Sequence, residues 1–475
     1  MKVLMVAAEA VPFVKTGGLA DVIGSLPKAL VEHGVDVRVI LPKYRDIPDE
    51  WRQQTVPVAE MTVQVGWRRC YAGVERLELD GITYYFIDNE MYFKRNGLYG
   101  YEDDGERFAF FCQAVLEAAA HLDWKPDFLH CHDWHTALVP VFLKAHYGDS
   151  GFHAQMKTVF TIHNLRYQGI YPYGVLSDLL NVGDEHFHVN GLEYYGNVNY
   201  LKGALNYSDF ITTVSPSYAA EIQTPYYGEG LDGTLRYRRD RLIGIVNGLD
   251  YSSYDPISDL HLRVPFRNSL KKKRLNKTAL QEELGLSVQE EVLMISIIAR
   301  LVEQKGIDLI VRVLDELLRE DAQLVVLGAG DDAYEKQLKD AAYFHERKLS
   351  VTLKFDEGLA RRIYASSDLF LMPSKFEPCG IGQMIAMRYG AVPIVRETGG
   401  LADTVKPYNE FTGEGHGFSF SHYNAHDMLF TVRRALTLLK ETMHRDRIAK
   451  NMAEHDLSWN VSAEKYAELY RSLRS

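Results

Sequence analysis

The sequence predicts an α/β fold built from two doubly wound domains, each a parallel β-sheet covered by helices on both faces. Short β-branched apolar runs alternate with helix-length amphipathic segments throughout the 475 residues, which is typical of parallel sheets. Eleven such runs are many for one open sheet, and they fall into two groups. The turn signal at residues 247–250 (NGLD) and the basic, helix-prone segment SLKKKRLNKTALQEEL separate the groups. We therefore expect a hinge near residue 247.

The strand predictions follow the apolar runs. In the first group they are Val3–Ala7, Val35–Leu41, Phe128–His132, Thr158–Ile162, Phe210–Val214 and Leu242–Val246. In the second group they are Val292–Ala299, Leu324–Leu327, Val351–Phe355, Leu369–Met372 and Val392–Val395. One segment departs from the pattern: VERLELDGITYYFIDNE alternates with period two around Asp80-Gly81, which predicts an antiparallel hairpin added to the first domain.

Composition excludes several classes of protein. The chain is 46% hydrophobic and 25% charged, with a formal net charge of −11, so nucleic-acid binding is not expected. The sequence contains no run of 18 apolar residues, so no membrane span is predicted. The apolar N-terminal run has the pattern of a first strand rather than of a signal peptide. Four cysteines without CxxC pairing indicate reduced thiols in a cytoplasmic protein: Cys70, Cys112, Cys131 and Cys379.

The hexapeptide TGGLAD occurs twice, at residues 16–21 and 398–403. Each copy precedes helix-like sequence, where free N–H groups and the helix dipole favour an anion. Lys15 precedes the first copy and adds a positive charge, which suggests a phosphate ligand, whereas Glu397 precedes the second and argues against a bare phosphate there. We expect the copies to share backbone geometry and to differ in ligand. The alternative is that both are simple glycine-rich helix entries.

A nicotinamide-dependent dehydrogenase is not indicated. Its fingerprint would place GxGxxG directly after the first strand, but the chain reads AEAVPFVKTGG there. Gly328-Ala329-Gly330 follows a later strand without a third glycine and is interpreted as a tight turn.

Polar residues follow two strands of the second group. Arg300 and Lys305 come after the first of these strands, and Glu377 comes after the fourth, in PSKFEPCGIGQ. Because ligands of such sheets bind beyond the carboxyl ends of strands, the cations could hold a diphosphate and the carboxylate could hold sugar hydroxyls. The alternatives are a solvated loop paired with Glu303 and an acid at a helix start.

Histidines follow two strands of the first group. HCHDWH places His130 and His132 on one face of its strand and Cys131 on the other. We interpret these residues as polar groups that line a binding cleft. The alternative is a zinc site, but the sequence offers no second pair of zinc ligands elsewhere. TIHN similarly places His163 and Asn164 at a strand end.

These stretches together resemble the bacterial glycogen synthases and plant starch synthases, glycosyltransferase family 5. The resemblance covers nearly the whole chain through KTGGLADV, HDWH, TIHN, NGLD, NKTALQ, ARL…QKG, FEPCG, the second TGGLAD and SWNVSAEKY. It implies a GT-B fold: two Rossmann-like domains, residues 1–246 and 247–455, facing across a deep cleft, with a C-terminal helix at 456–475 that crosses back to the first domain. It also implies retaining transfer of glucose from ADP-glucose to the nonreducing end of an α-1,4-glucan such as glycogen, without a metal or other cofactor.

The resemblance also implies roles for individual residues. The expected catalytic residues are His163, Arg300, Lys305 and Glu377. The expected substrate-binding residues are Lys15, Gly17, Gly18, Asp21, Asp133, Asn164, Asn247, Lys277, Cys379, Gly380, Ile381 and Gly382. At Gly382 the family pattern has threonine, so a hydroxyl near the phosphates is missing. Ile385 stands where the wider GT-B pattern has a second glutamate, which family 5 generally lacks.

Three alternatives remain at this stage. The donor could be UDP-glucose, or the chain could be a non-catalytic glucan-binding relative. A degradative phosphorylase of related fold would need a lysine-bound pyridoxal phosphate, for which no signature is visible. Neither nucleic acid nor a membrane is an expected partner, and the sequence does not indicate an oligomeric state.

Overall fold

The computed structural model describes residues 1–148 and 151–474. The chain divides into two compact units. Unit 1 comprises Met1–Gly248 and the segment that begins at Trp459, and unit 2 comprises Leu249–Ser458. The boundaries expected from the sequence, after residues 246 and 455, lie close to these.

Unit 1 is built on a nine-stranded sheet in the order β12-β11-β7-β6-β1-β2-β5-β4-β3, beside a small antiparallel sheet in the order β8-β10-β9. From β12 to β5 neighbouring strands are parallel, and β4 and β3 extend the sheet antiparallel. The strands are β1 Lys2–Val6, β2 Asp36–Pro42, β3 Val56–Val65, β4 Arg68–Leu79, β5 Ile82–Asp88, β6 Phe128–His132, β7 Lys157–Ile162, β8 Ile170–Pro172, β9 Glu193–Tyr194, β10 Asn197–Asn199, β11 Phe210–Thr213 and β12 Leu242–Gly244.

The helices of unit 1 connect these strands and cover the sheet. They are α1 Gly18–Glu32, α2 Asp49–Arg52, α3 Glu90–Phe93, α4 Asp104–Ala119, α5 Leu138–Phe142, α6 Tyr200–Tyr207, α7 Pro216–Glu221 and α8 Asp232–Tyr237. Short 3₁₀ or π turns lie at Trp134–Thr136, Leu143–Tyr147, Gly151–His153, Leu176–Leu180, Asp184–His186 and Arg239–Arg241.

Unit 2 has a six-stranded, all-parallel sheet in the order β15-β14-β13-β16-β17-β18. Its strands are β13 Leu293–Ile298, β14 Ala322–Leu327, β15 Leu349–Thr352, β16 Leu369–Met372, β17 Val392–Arg396 and β18 Phe418–Phe420. Its helices are α9 Leu270–Glu283, α10 Ile307–Arg312, α11 Leu314–Arg319, α12 Asp332–Phe344, α13 Glu357–Ser366, α14 Gly382–Arg388, α15 Gly399–Thr404, α16 Ala425–Lys440 and α17 Thr442–Glu454, with a 3₁₀ turn at Glu303–Lys305.

The last helix, α18 (Trp459–Arg474), belongs to unit 1 although it follows unit 2 in the chain. It packs against α1 and against β6, where the Tyr470 ring lies 5.3 Å from the ring of Phe128. The Tyr470 hydroxyl lies 2.6 Å from Nδ1 of His130, and Nζ of Lys157 donates to the carbonyl of Leu473 at 2.5 Å. The core of unit 1 is therefore completed by two segments far apart in sequence.

The prediction of a doubly wound α/β architecture is confirmed: each of the eleven apolar runs overlaps a strand that pairs in parallel with its neighbours. The predicted hairpin is also confirmed, because β4 and β5 pair antiparallel across Asp80 (φ 51°) and Gly81 (φ 78°), the positive-φ pair that a tight hairpin turn requires. The sequence did not reveal β3, the small sheet or β18. These elements are short or largely exposed, so their apolar signal is weak.

In each of the two large sheets, one strand lies where the chain reverses its direction of winding. In unit 1 this strand is β1, flanked by β2 and β6, and in unit 2 it is β13, flanked by β14 and β16. The loops that follow two such neighbouring strands diverge and leave a crevice at the carboxyl edge of the sheet, where ligands of doubly wound proteins bind.

Within the described residues, no helix combines the length and apolar character needed to cross a bilayer.

Candidate functional site

The crevice of unit 2 contains a lysine and a glutamate in direct contact. Lys305 follows β13 and Glu377 follows the neighbouring strand β16. Lys305 Nζ lies 2.6 Å from Glu377 Oε2, and the Ser374 hydroxyl donates to the same oxygen at 3.1 Å. The Glu377 side chain is only 8% exposed. Burial and the hydrogen bond from Ser374 therefore fix its orientation at the carboxyl edge of the sheet.

The loop that carries Glu377 is held by a buried glutamine. Gln383, in the first turn of α14, is fully buried. Its amide Nε2 donates to the carbonyls of Cys379 and Gly380, both at 3.1 Å, and to the hydroxyl of Thr404 at 3.0 Å. Gly380 has φ +75°, a conformation that glycine adopts without strain. The stretch from Cys379 to Ile381 is thereby fixed as a tight turn into the helix.

The second TGGLAD copy packs directly beneath this loop. Gly399 has φ +46°, and a Cβ on it would lie 1.9 Å from the carbonyl oxygen of Glu377. A Cβ on Gly400 would lie 2.1 Å from the carbonyl oxygen of Cys379, and the Gly400 N–H donates to the Glu377 and Pro378 carbonyls, both at 3.1 Å. The two glycines are therefore needed so that helix α15 can approach the Glu377 loop closely.

Glu397, which precedes this copy, has a structural environment of its own. Its carboxylate accepts hydrogen bonds from the hydroxyls of Ser419 at 2.7 Å and Ser421 at 2.6 Å. The acid therefore connects β17 to the chain around β18.

The glycine at position 382 also has a packing reason. A Cβ there would lie 3.2 Å from the Phe370 ring and 3.3 Å from the sulfur of Met372. Any side chain, including the threonine of the family pattern, would require these two residues to shift. Residue 382 itself therefore contributes only backbone polar groups to the loop.

Arg300 lies at the same edge of the sheet as Lys305. It follows β13 by two residues and is exposed. Its carbonyl accepts from the N–H of Val302 at 2.9 Å, which closes a tight turn before Lys305. Two cations thus follow the central strand of unit 2.

The crevice of unit 1 is bordered by the first TGGLAD copy, and Glu9 holds this loop from inside. Glu9 is 4% exposed and accepts hydrogen bonds from the N–H of Thr16 at 2.5 Å and from its hydroxyl. Burial raises the pKa of the Glu9 carboxyl, and the hydrogen bonds from Thr16 oppose that shift. Lys15 Nζ pairs with Asp21 Oδ1 at 2.8 Å on the surface of the loop.

The two copies of the hexapeptide do not share backbone geometry, contrary to the expectation. Gly17 has φ −155° where the equivalent Gly399 has φ +46°. A Cβ on Gly17 or Gly18 would meet nothing within 4 Å, whereas both glycines of the second copy press against backbone atoms. The first copy opens a long helix beside open space, and the second supports a neighbouring loop.

A histidine pair lies at the ends of β6 and β7. β6 is a neighbour of β1, the strand that precedes the Lys15 loop. His132 Nδ1 lies 2.9 Å from His163 Nε2. Burial lowers the pKa of His163 to about 3 and lowers that of His132 as well, so both rings are neutral at neutral pH. The His130 and His132 rings stack at 4.2 Å on one face of β6, as strand alternation predicted.

Asp133 fixes the turn that carries His163 and Asn164. Its Oδ1 accepts from their backbone N–H groups at 2.8 and 3.4 Å, and it has φ +60°, a strained value for a non-glycine residue. Burial raises the pKa of Asp133 to about 7, against the opposing effect of these two hydrogen bonds. In the described part of the chain no cluster of histidine, cysteine, aspartate or glutamate has the arrangement of a metal site.

Two predicted site residues lie apart from these groups. Asn247 follows β12, one of the two edge strands of the large sheet of unit 1, and its Oδ1 is buried without a hydrogen-bond partner among the described residues. Lys277 on α9 is 3% exposed and pairs with Asp368 at 2.7 Å, and it donates to the carbonyl of Val292 at 3.0 Å. Asp368 and Val292 precede β16 and β13, so Lys277 lies at the amino edge of the sheet, opposite the crevice. The substrate-binding role expected for Lys277 is corrected to a structural one.

Three buried residues support the loops of the site: Glu9 holds the Lys15 loop, His132 contacts His163, and Gln383 holds the Glu377 loop. The sequence indicated His132 as a polar residue at a strand end but not its contact with His163, and it did not indicate Glu9 or Gln383. The one sequence signal for Glu9 was its position as a charged residue directly after an apolar run. Gln383 had no comparable signal in the sequence.

Comparisons with known proteins show the family to which this fold belongs. Residues 2–237 match the family model described as starch synthase catalytic domain, and residues 279–455 match glycosyl transferases group 1. The catalytic domain of starch synthase IV from Arabidopsis thaliana, a structure described as bound to ADP and acarbose, superposes with a TM-score of 0.91 at 34% identity and covers 99% of both chains. Sucrose-phosphate synthase from Thermosynechococcus elongatus shares the fold alone, with a TM-score of 0.62 at 16% identity over 99% of this chain and 98% of that one.

The fold and its crevices thus define a GT-B glycosyltransferase. A glycogen synthase from Desulforamulus reducens is 53% identical over 474 residues, covering 100% of this chain and 99% of the relative, and one from Anoxybacillus flavithermus is 53% identical over the same length. The chain belongs to the glycogen synthase and starch synthase family, glycosyltransferase family 5.

The contrast between the two hexapeptides gives a matched pair of variants. Gly399→Val should destabilise the protein, because overpacking and a positive φ each cost about 1–3 kcal/mol. Activity should fall with it, since the Glu377 loop lies above. Gly17→Val should leave the melting temperature unchanged, because its backbone is extended and its Cβ position is open. Thermal melting of both variants is the measurement, and equal melting temperatures would contradict the assignment.

Lys277 provides a second test. Lys277→Met should lower stability by roughly 3–5 kcal/mol, because it leaves the nearly buried Asp368 carboxylate without its cation. The KM for the sugar nucleotide should stay the same in the folded fraction. Lys271→Met, an exposed lysine on the same helix, is the control. Urea unfolding and steady-state kinetics measure the two effects, and a raised KM with normal stability would restore the substrate-binding role.

Proposed function

We propose that this protein elongates an α-1,4-glucan by transferring glucose from ADP-glucose to its nonreducing end with retention of configuration, releasing ADP. The observation that carries the proposal is the contact between Lys305 and Glu377 at the crevice of unit 2. A sugar diphosphate presents phosphate oxygens and sugar hydroxyls a few ångströms apart, so an ammonium and a carboxylate side by side are complementary to it.

The cations account for the chemical step. Transfer breaks the bond between the glucose C1 and the diphosphate oxygen, whose electron pair stays on ADP, and forms a bond from C1 to a hydroxyl oxygen of the acceptor. The hydroxyl proton leaves with ADP or solvent. Negative charge on the diphosphate therefore grows in the transition state, and Arg300 and Lys305 would stabilise it. Glu377 would accept hydrogen bonds from hydroxyls of the transferred glucose.

The residues of unit 1 complete the proposed assignment. Lys15 and the open backbone of Gly17 and Gly18 would approach phosphate, because the positive end of α1 begins there. His163 and Asn164 would contact the transferred glucose, with Asp133 holding their turn. Asp21 and Asn247 are proposed to bind substrate, as are the backbone groups of residues 379–382. No metal or other cofactor enters this proposal.

The relatives support the substrates proposed. Those named glycogen synthase match over the full length, and the starch synthase structure is described as bound to ADP and acarbose. A cytoplasmic location is also proposed. All four cysteines are free and buried, which fits a reducing compartment.

One assay tests the proposal. Purified protein is given glycogen with either ADP-glucose or UDP-glucose, and incorporation of labelled glucose is followed. Faster transfer from ADP-glucose is expected. Preference for UDP-glucose would replace the donor, and glycogen binding without any turnover would indicate a non-catalytic glucan-binding protein. Phosphate-dependent release of glucose 1-phosphate, with absorbance from a bound pyridoxal cofactor, would indicate a phosphorylase.

The cations can be tested individually. Arg300→Ala and Lys305→Ala should each lower kcat by an amount equivalent to roughly 3–4 kcal/mol, the usual cost of losing one group that stabilises transition-state charge. Arg312→Ala, an exposed arginine on α10, is the control and should retain normal turnover. Near-normal kcat in both site variants would show that these residues do not stabilise the leaving diphosphate.

A further inference from the structure

Three histidines of unit 1, His130, His132 and His163, form a connected group, and the proposed chemistry uses only His163. Tyr470 of α18 contacts His130 Nδ1 at 2.6 Å, and Thr161 contacts His130 Nε2 at 2.6 Å. His130 stacks on His132, whose Nδ1 reaches His163 Nε2. Only His163, at the end of β7, is partly exposed.

The proton between His132 and His163 can lie on either ring. Because both rings are neutral, each carries one proton. If His163 held the shared proton on Nε2, His132 would carry its own on Nε2. That nitrogen is buried and has no hydrogen-bond partner among the described residues. A buried N–H without an acceptor is rarer and less favourable than a bare lone pair. The shared proton therefore belongs to Nδ1 of His132.

We propose that His132 is a positioning residue that holds His163 in the tautomer protonated on Nδ1. His163 Nε2 accepts from His132, so its single proton is on the opposite ring nitrogen, directed away from His132. His163 then presents a neutral N–H donor, which suits a hydroxyl or phosphate oxygen of a sugar nucleotide and not a cationic or donor group. This role in transfer rests on the function proposed above, whereas the tautomer does not.

His130 restrains the ring of His132. Both ring nitrogens of His130 are engaged, with Tyr470 on one side and Thr161 on the other, and Thr161 also contacts Thr212 at 2.6 Å. His130 therefore cannot rotate without losing two hydrogen bonds, and His132 lies against its ring face at 4.2 Å. A ring held in this way keeps its hydrogen-bonding direction fixed.

Histidine tautomers can be measured without substrate. The protein is labelled with ¹⁵N-histidine, and long-range ¹H–¹⁵N spectra identify the protonated nitrogen of each ring. The His163 signals are assigned by their loss in His163→Gln. We expect His163 protonated on Nδ1 in the unmodified protein and on Nε2, the form favoured in water, in His132→Phe. Protonation on Nε2 in the unmodified protein, or the same tautomer in His132→Phe, overturns the proposal.

Kinetics test the consequence for transfer. His132→Phe should lower kcat on the order of 10²-fold, the usual effect of misplacing a reacting group, while the KM for ADP-glucose changes little. The double variant with His163→Gln should be no slower than His163→Gln alone, because His132 acts through His163. His153→Phe, another buried histidine of unit 1, is the control for packing and should keep normal kcat. Additive losses, or an equal loss in His153→Phe, would show a merely structural role.

The two proposals fail separately. If the tautomer is found and no transfer from either nucleotide sugar occurs, the function is wrong and the assignment of His132 stands. If transfer occurs and His163 is protonated on Nε2, the assignment of His132 is wrong and the function stands.

Discussion

The parallel pairing of β13 with β14 on one side and β16 on the other is the constraint on which the site of unit 2 depends. The chain leaves β13 in one direction and returns on its other side, so the loops after β13 and β16 diverge at a single edge. Residues 72 positions apart in sequence, Lys305 and Glu377, meet there. In unit 1 the same arrangement of β1 and β6 brings the Lys15 loop and the histidines to one edge.

Buried polar groups fix the conformations of the loops that border the crevices. Gln383, Glu9 and His132 lie under the three loops, and each forms hydrogen bonds that would cost about 1–3 kcal/mol to leave unmade in the interior. Loops with such anchors lose little conformational entropy on binding a ligand, because they are ordered beforehand. The same low dielectric environment keeps the imidazoles neutral and raises the pKa of Asp133.

The sequence predicted what depends on local pattern. Strand runs, the Asp80-Gly81 turn and the polar residues directly after strands were all visible, because periodicity and turn chemistry are local properties. Lys277 was misplaced because a lysine within a motif looks the same whether it points to a ligand or to a buried aspartate 91 residues away. The role of Gly399 was equally hidden, since the carbonyl that excludes a side chain belongs to Glu377 in another loop.

The position of α18 has a consequence for the order in which the protein can fold during synthesis. About 210 residues of unit 2 separate this helix from the rest of unit 1. At roughly 5–20 residues per second, the ribosome needs about 10–40 s to make them. Throughout that interval β6 and α1 lack the apolar face of α18, including Tyr466, Tyr470 and Leu473. The apolar surface that α18 covers therefore stays exposed on nascent unit 1 until synthesis is nearly complete, and exposed apolar surface of this kind promotes aggregation.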